Sequence, residues 1–80
     1  MDNTLLVAKT LDFPHLMRIA EGMSYKHKTV IIKARGKQIQ RAVEVAVMLR
    51  ERGRGVINDT IYRVEEGDVH IPSIRINITV

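Results

Sequence analysis

The spacing of apolar residues along the 80-residue chain predicts six secondary-structure elements in the order βαβαββ. Apolar residues recur at helical spacing from Phe13 to Met23, after an Asp12 that can cap the helix. Over residues 73–80 they alternate strictly with polar residues, which is typical of a strand with one buried face. The other expected elements are strands at 4–8, 29–34 and 56–64 and a second helix at 37–52.

Two features of the pattern predict how these elements pack. Residues 29–34 are β-branched and almost continuously apolar, which favours a central strand covered on both faces. The second helix has an apolar arc of roughly 200°, wider than one sheet face needs. The surplus either covers a long sheet or forms a dimer contact. Met48 lies outside this arc, so we expect it to be exposed and a candidate contact for another subunit.

Together the elements predict an α/β fold of the α+β two-layer sandwich type. Early βαβ units followed by a hairpin give a four-stranded mixed sheet with both helices on one face. The length suits a single domain over residues 1–80. A chain this short buries only about 60–65% of its unfolded surface, so a partner subunit would add to its stability.

Composition excludes several classes of function. The chain has no cysteine, which excludes disulfides and thiolate metal sites and fits a reducing cytoplasm. No apolar run approaches the ~18 residues of a membrane span, and we expect no signal peptide before the first strand. We therefore expect no membrane partner. Aromatic residues make up 4% of the chain, too few for a protein that stacks the bases of a single strand.

Positive charge is concentrated in the middle of the chain. The net charge is +4, and residues 25–54 alone carry +7. Such a segment is the electrostatic footprint of a protein that binds a polyanion. A solvated basic helix without a ligand has the same composition.

The densest basic cluster lies where the second strand passes into the second helix. A helix N-terminus offers free N–H groups and a positive dipole end to a phosphate. An arginine there can bind the phosphate through two hydrogen bonds, and a glycine lets the backbone approach it closely. The alternative is a glycine turn with solvated charges. The cluster consists of Lys33, Arg35, Gly36, Lys37 and Arg41, and we expect Lys37 and Arg41 to share one exposed face.

The same segment resembles the Alba family of archaeal nucleic-acid-binding chromatin proteins. The resemblance is strong over residues 28–52, which include TVIIKARGKQIQRAVEVAVMLRER with its KARG core. It is fair over residues 5–27, which begin with LLVAK. After Gly53 it is weak. The resemblance implies a βαβαββ homodimer whose nucleic-acid surface includes Lys9, Lys33, Arg35, Gly36, Lys37 and Arg41.

The resemblance also shows where this chain departs from the family. Lys9 corresponds to the first of two family lysines that contact nucleic acid, a position known for acetylation, and Thr10 replaces the second. The family's basic hairpin arm is shorter here and carries Glu65, Glu66 and Asp68 at its tip. We therefore expect the central body to bind the ligand, with the acidic hairpin pointing away from it or weakly opposing it.

The histidines and carboxylates give no support for an enzyme. His15, His27 and His70 have no spacing typical of a metal pair, and the adjacent Glu65 and Glu66 would point to opposite faces of a strand. We expect no catalytic site, metal, cofactor or small-molecule substrate.

The sequence therefore predicts a nucleic-acid-binding homodimer that contacts the phosphate backbone of double-stranded DNA or RNA with little base recognition. We expect it in the cytoplasm, associated with the nucleoid. DNA and RNA both remain open as ligands, including an RNA-dedicated role in a ribonucleoprotein. An alternative from another class is a protein-interaction subunit that uses the acidic hairpin and the second helix.

Overall fold

The computed structural model describes residues 3–65 and 71–80, and the side chain of Glu65 is outside this description. The order of elements is βαβαββ, as predicted, with a short 3₁₀ turn before the second helix. Neither helix in the described ranges is long and apolar enough to span a membrane. The elements are β1 (Thr4–Leu6), α1 (Phe13–Lys26), β2 (Thr29–Arg35), the 3₁₀ turn (Gly36–Gln38), α2 (Ile39–Glu51), β3 (Val56–Glu65) and β4 (Ile71–Thr79).

The four strands form one mixed sheet in the order β1-β2-β4-β3. β1 runs parallel to β2, whereas β4 is antiparallel to both of its neighbours, β2 and β3. β2 and β4 are therefore the central strands, and β3 is a long edge strand. The mixed sheet and the two-layer architecture confirm the predicted fold class.

The core lies between one face of the sheet and the two helices. Alternate residues of β2 and β4 are buried, as strict alternation predicts for a sheet with one covered face. They pack against buried residues of both helices in a single cluster. The largest fully buried side chains are Leu16, Val30, Ile32, Val45, Leu49 and Ile78.

Two packing predictions are wrong. β2 is covered on one face only: Val30 and Ile32 are buried, but Thr29, Lys33 and Arg35 are exposed. Both helices pack on the same face of the sheet, so no second layer covers β2. The continuous apolar run instead reflects the central position of this strand in the sheet. Met48 is half-buried and packs against the core, so it is not exposed as predicted.

The ends of the helices follow the expected local chemistry. The Asp12 carboxylate accepts a hydrogen bond of 2.9 Å from the backbone N–H of His15, which confirms Asp12 as the cap of α1. Pro14 lies in the first turn, where its missing N–H is not needed. α2 ends at Glu51, and Gly53 follows with a φ of +70°, a left-handed conformation that favours glycine.

Candidate nucleic-acid interface

The parallel pairing of β1 and β2 brings two loops to the same edge of the sheet. Leu6 pairs with Lys33, and the N–H of Val7 donates to the carbonyl oxygen of Lys33 at 2.9 Å. Because parallel strands end at the same edge, the segment 7–12 and the 3₁₀ turn Gly36–Gln38 leave the sheet side by side. We call the surface that these two segments form the loop end.

Arg41 joins the two segments of the loop end. Its Nη1 donates to the carbonyl oxygen of Ala8 at 3.3 Å and to Oε1 of Gln38 at 3.0 Å. The side chain is half-buried, so Arg41 does not share one exposed face with Lys37. The difference arises because α2 begins at Ile39, and a 3₁₀ turn precedes it. The sequence spacing assumes a continuous helix from residue 37.

The other loop-end cations are exposed. Lys9 lies in the turn after β1, and Lys37 lies in the 3₁₀ turn. Gly36 has a φ of +57°, a left-handed conformation that glycine adopts without strain. No side chain caps the 3₁₀ turn or α2. This arrangement leaves the backbone N–H groups of the turn available to an anion beside Lys37.

Lys33 and Arg35 lie on the face of the sheet opposite the helices, which we call the open face. Directly opposed residues in an antiparallel pair share a face. Lys33 is paired with Arg75, and Arg35 is paired with Ser73, whose partner on β3 is Arg63. The open face thus combines two predicted site residues with two arginines, Arg63 and Arg75, that the sequence analysis did not assign to the site.

A partial signal for these arginines exists in the sequence. The alternation over residues 73–80 already places Arg75 on the side opposite the buried isoleucines. What the sequence does not contain is the register that sets Arg75 beside Lys33 and Arg63 near Arg35, because strand pairing joins residues far apart along the chain.

The cations of the loop end and the open face have no acidic partners in the described part of the chain. Ion pairs among those residues join Arg50 to Glu51 at 3.5 Å and Arg52 to Glu21. Both involve arginines of the α2 C-terminal region, at the other end of the helix from the loop end. The charge of Lys9, Lys33, Arg35 and Lys37 is therefore available to an external anion.

The β3–β4 hairpin projects from the same edge of the sheet as the loop end. Arg35 is the last residue of β2 and pairs with Ser73, while β4 begins two residues earlier, where Ile71 pairs with Glu65. The acidic tip residues Glu66 and Asp68 lie outside the described residues, as does His70. The predicted direction of the acidic tip thus stays a prediction.

The two described histidines are not brought together. His15 lies in the first turn of α1, and His27 follows the last turn of the same helix. Across the described ranges, no group of three histidine or acidic side chains is placed to hold a metal ion.

Comparison with known proteins agrees with this architecture. The family model for Alba matches residues 3–66, and the chain belongs to the Alba family, whose members generally bind nucleic acids. ALBA1 from Trypanosoma brucei is similar in structure, with a TM-score of 0.84 and 22% identity over 96% of this chain and 68% of that one. Alba from Thermoplasma volcanium has a TM-score of 0.79 and 22% identity over 96% of this chain and 99% of that one. Both share the fold described above.

Proposed function

We propose that this protein binds DNA or RNA through the phosphate backbone, with little recognition of base sequence, and that the loop end is its principal contact surface. The observation that carries this proposal is the meeting of two cationic segments, around Lys9 and Lys37, at one edge of the sheet without acidic partners among the described residues. Phosphate contacts of this kind supply affinity and position, whereas base edges supply sequence information.

Each proposed site residue has a distinct part in this contact. Arg35 and Lys37 lie on either side of Gly36, at the start of the uncapped 3₁₀ turn, and would hold phosphates there. Lys9 and Lys33 would add charge on either side. Arg41 would act mainly by holding the two segments of the loop end together, and its charge would add to theirs.

The positions of the aromatic side chains favour backbone binding over base stacking. Tyr25 is stacked against the guanidinium of Arg54, 3.8 Å from the ring centre. Tyr62 is paired with the buried Ile74 and therefore lies on the helix side of the sheet. Neither tyrosine ring lies on the loop end or the open face, so the tyrosines provide no stacking platform on these surfaces.

We also propose that the protein is a homodimer, associated through an apolar strip formed by Val43 of α2 and by Tyr62 and Val64 of β3. These side chains are 39%, 59% and 49% exposed in the single chain. Tyr62 and Val64 lie on the helix side of the sheet, and α2 contacts β3. Val43 is an exposed part of the wide apolar arc expected for the second helix, and Tyr62 and Val64 extend the strip onto β3.

A salt titration of duplex binding tests the proposed function. Five basic positions per subunit allow at most ~10 phosphate contacts in a dimer, so log K should fall with log salt at a slope of up to roughly −9. We expect about half this slope, because not every cation contacts a phosphate at once. A slope near zero, or strong preference for one sequence, would contradict backbone binding.

The matched variants for this experiment are Arg35→Ala and Lys28→Ala. Arg35→Ala should weaken binding more, because Arg35 lies at the proposed interface whereas Lys28 lies just before β2, at the opposite edge of the sheet. Both side chains are exposed, so neither change should affect folding. Arg63 is unsuitable as a control because it shares the open face with Arg35.

A further inference from the structure

The open face carries a compact array of four cations in two adjacent rows. One row contains Lys33 and Arg75 as direct neighbours, and the next row contains Arg35 and Arg63 on either side of Ser73. The rows are two residues apart, about 6.6 Å along the strands, and two strand spacings of about 4.8 Å separate Arg35 from Arg63. The separation of the rows is comparable to that of neighbouring phosphates on one polynucleotide strand.

The surface between these cations is a shallow groove with apolar sides. Its volume is about 410 Å³, and Leu6 and Ile61 line it together with the four cations. Leu6 is 62% exposed, which is unusual for leucine in a sheet and leaves apolar surface for a sugar or base. Asp59 lies on the same face one row beyond Arg75, beside Asn77. The groove is therefore cationic toward the loop end and ends near a carboxylate.

We propose that the open face is a second nucleic-acid site, which binds the sugar–phosphate backbone of one single strand with neighbouring phosphates on the two cationic rows. The arginine forks of Arg63 and Arg75 and the ammonium group of Lys33 hold the phosphate oxygens. This site rests on the proposed function, because both surfaces take nucleic acid, and Arg35 lies at the boundary between them.

The geometry favours a single strand over a duplex on this face. The four cations fall within a patch about 10 Å wide, which one flexible backbone can follow along the groove. A duplex is rigid over short lengths, so a duplex bound at the loop end does not follow the groove to Arg75 on β4. Arg75 therefore contributes to single-strand binding and little to duplex binding, whereas Lys33, which adjoins the loop end, contributes to both.

The test compares Arg75→Gln with the matched control Arg18→Gln. Arg18 is exposed on α1, on the opposite side of the molecule, and its loss removes the same charge. Binding of a short labelled oligodeoxythymidylate and of a labelled duplex is measured by fluorescence anisotropy over a range of salt concentrations. Circular dichroism confirms that both variants are folded.

We expect Arg75→Gln to make the salt slope for the single strand shallower by about 0.7, the loss of one phosphate contact, and to leave duplex binding equal to that of Arg18→Gln. Equal effects of Arg75→Gln and Arg18→Gln on single-strand binding would overturn the second site. This holds even if the protein binds the duplex and Lys37→Gln weakens duplex binding. Wild-type protein that binds the single strand but no duplex would overturn the loop-end proposal alone. An acidic peptide that displaces the oligonucleotide at lower concentration would assign the face to a protein ligand and overturn this inference.

Discussion

At the residue scale, Arg41 shows how one side chain can serve both structure and charge. Its guanidinium spans from the turn before α2 to Ala8 in the segment after β1. Hydrogen bonds from a charged, half-buried donor contribute about 1.5–3 kcal/mol in favourable cases. Without them, the segment that carries Lys9 has fewer contacts to the rest of the protein. Arg41 therefore fixes the relative position of the two halves of the loop end.

Replacing Arg41 should accordingly affect stability and binding by separable routes. We expect Arg41→Ala to lower the free energy of unfolding by about 1–2 kcal/mol and to weaken duplex binding. Arg41→Lys should retain the charge but not the paired contacts, so it should still lower stability. Urea denaturation and duplex titration measure the two effects. If Arg41→Lys restores both properties fully, Arg41 acts only through its charge.

At the element scale, local spacing predicts the helices and strands well because each period depends only on neighbouring residues. The Asp12 cap, the isoleucine alternation of β4 and the extent of α1 all follow from such local signals. Local spacing does not predict the contacts between elements. The 3₁₀ turn at Gly36, the bridge from Arg41 to Ala8 and the pairing of Lys33 with Arg75 depend on tertiary position. Local signals therefore predict the elements, whereas the positions of Arg75 beside Lys33 and of Arg63 near Arg35 depend on strand register.

The hairpin gives a prediction at the same scale. Its described part projects from the edge that carries the loop end, so the acidic residues at positions 65 and 66 should weakly oppose a bound phosphate backbone. At a Debye length of about 8 Å, their repulsion acts only on nearby phosphates. We expect the double change Glu65→Gln and Glu66→Gln to tighten duplex binding modestly at low salt, with the gain fading at high salt.

The control for the hairpin removes the same charge from α2 through Glu44→Gln and Glu51→Gln, two exposed residues. This control should tighten binding less if proximity to the loop end is the cause. Fold stability should hardly change in the hairpin variant, since exposed turn charges contribute little. Weaker duplex binding in that variant would instead make the hairpin a contact surface for the ligand.

At the scale of the whole molecule, the proposed binding surfaces and the proposed dimer strip occupy different regions. The cations of the proposed binding surfaces lie on the loop end and the open face, whereas the exposed apolar side chains of Val43, Tyr62 and Val64 lie on the helix side. Association through that strip would leave both cationic surfaces accessible. A dimer would then present two loop ends at a fixed separation, and its affinity would exceed that of one subunit through the linked second contact.

Because the apolar strip lies apart from the cationic surfaces, we expect that the proposed dimer can be disrupted without changing the proposed binding residues. Tyr62→Glu should convert the protein to a monomer, because it places a charge in the apolar strip. Val56→Glu, at the far end of the same strand and also exposed, should not. Sedimentation velocity measures the assembly state, and duplex titration of the monomer should give about half the salt slope of the wild-type protein. A Tyr62→Glu variant that sediments as a dimer would show that the strip is not the interface. If the wild-type protein is monomeric at every concentration tested, the two-site account of its duplex affinity is wrong.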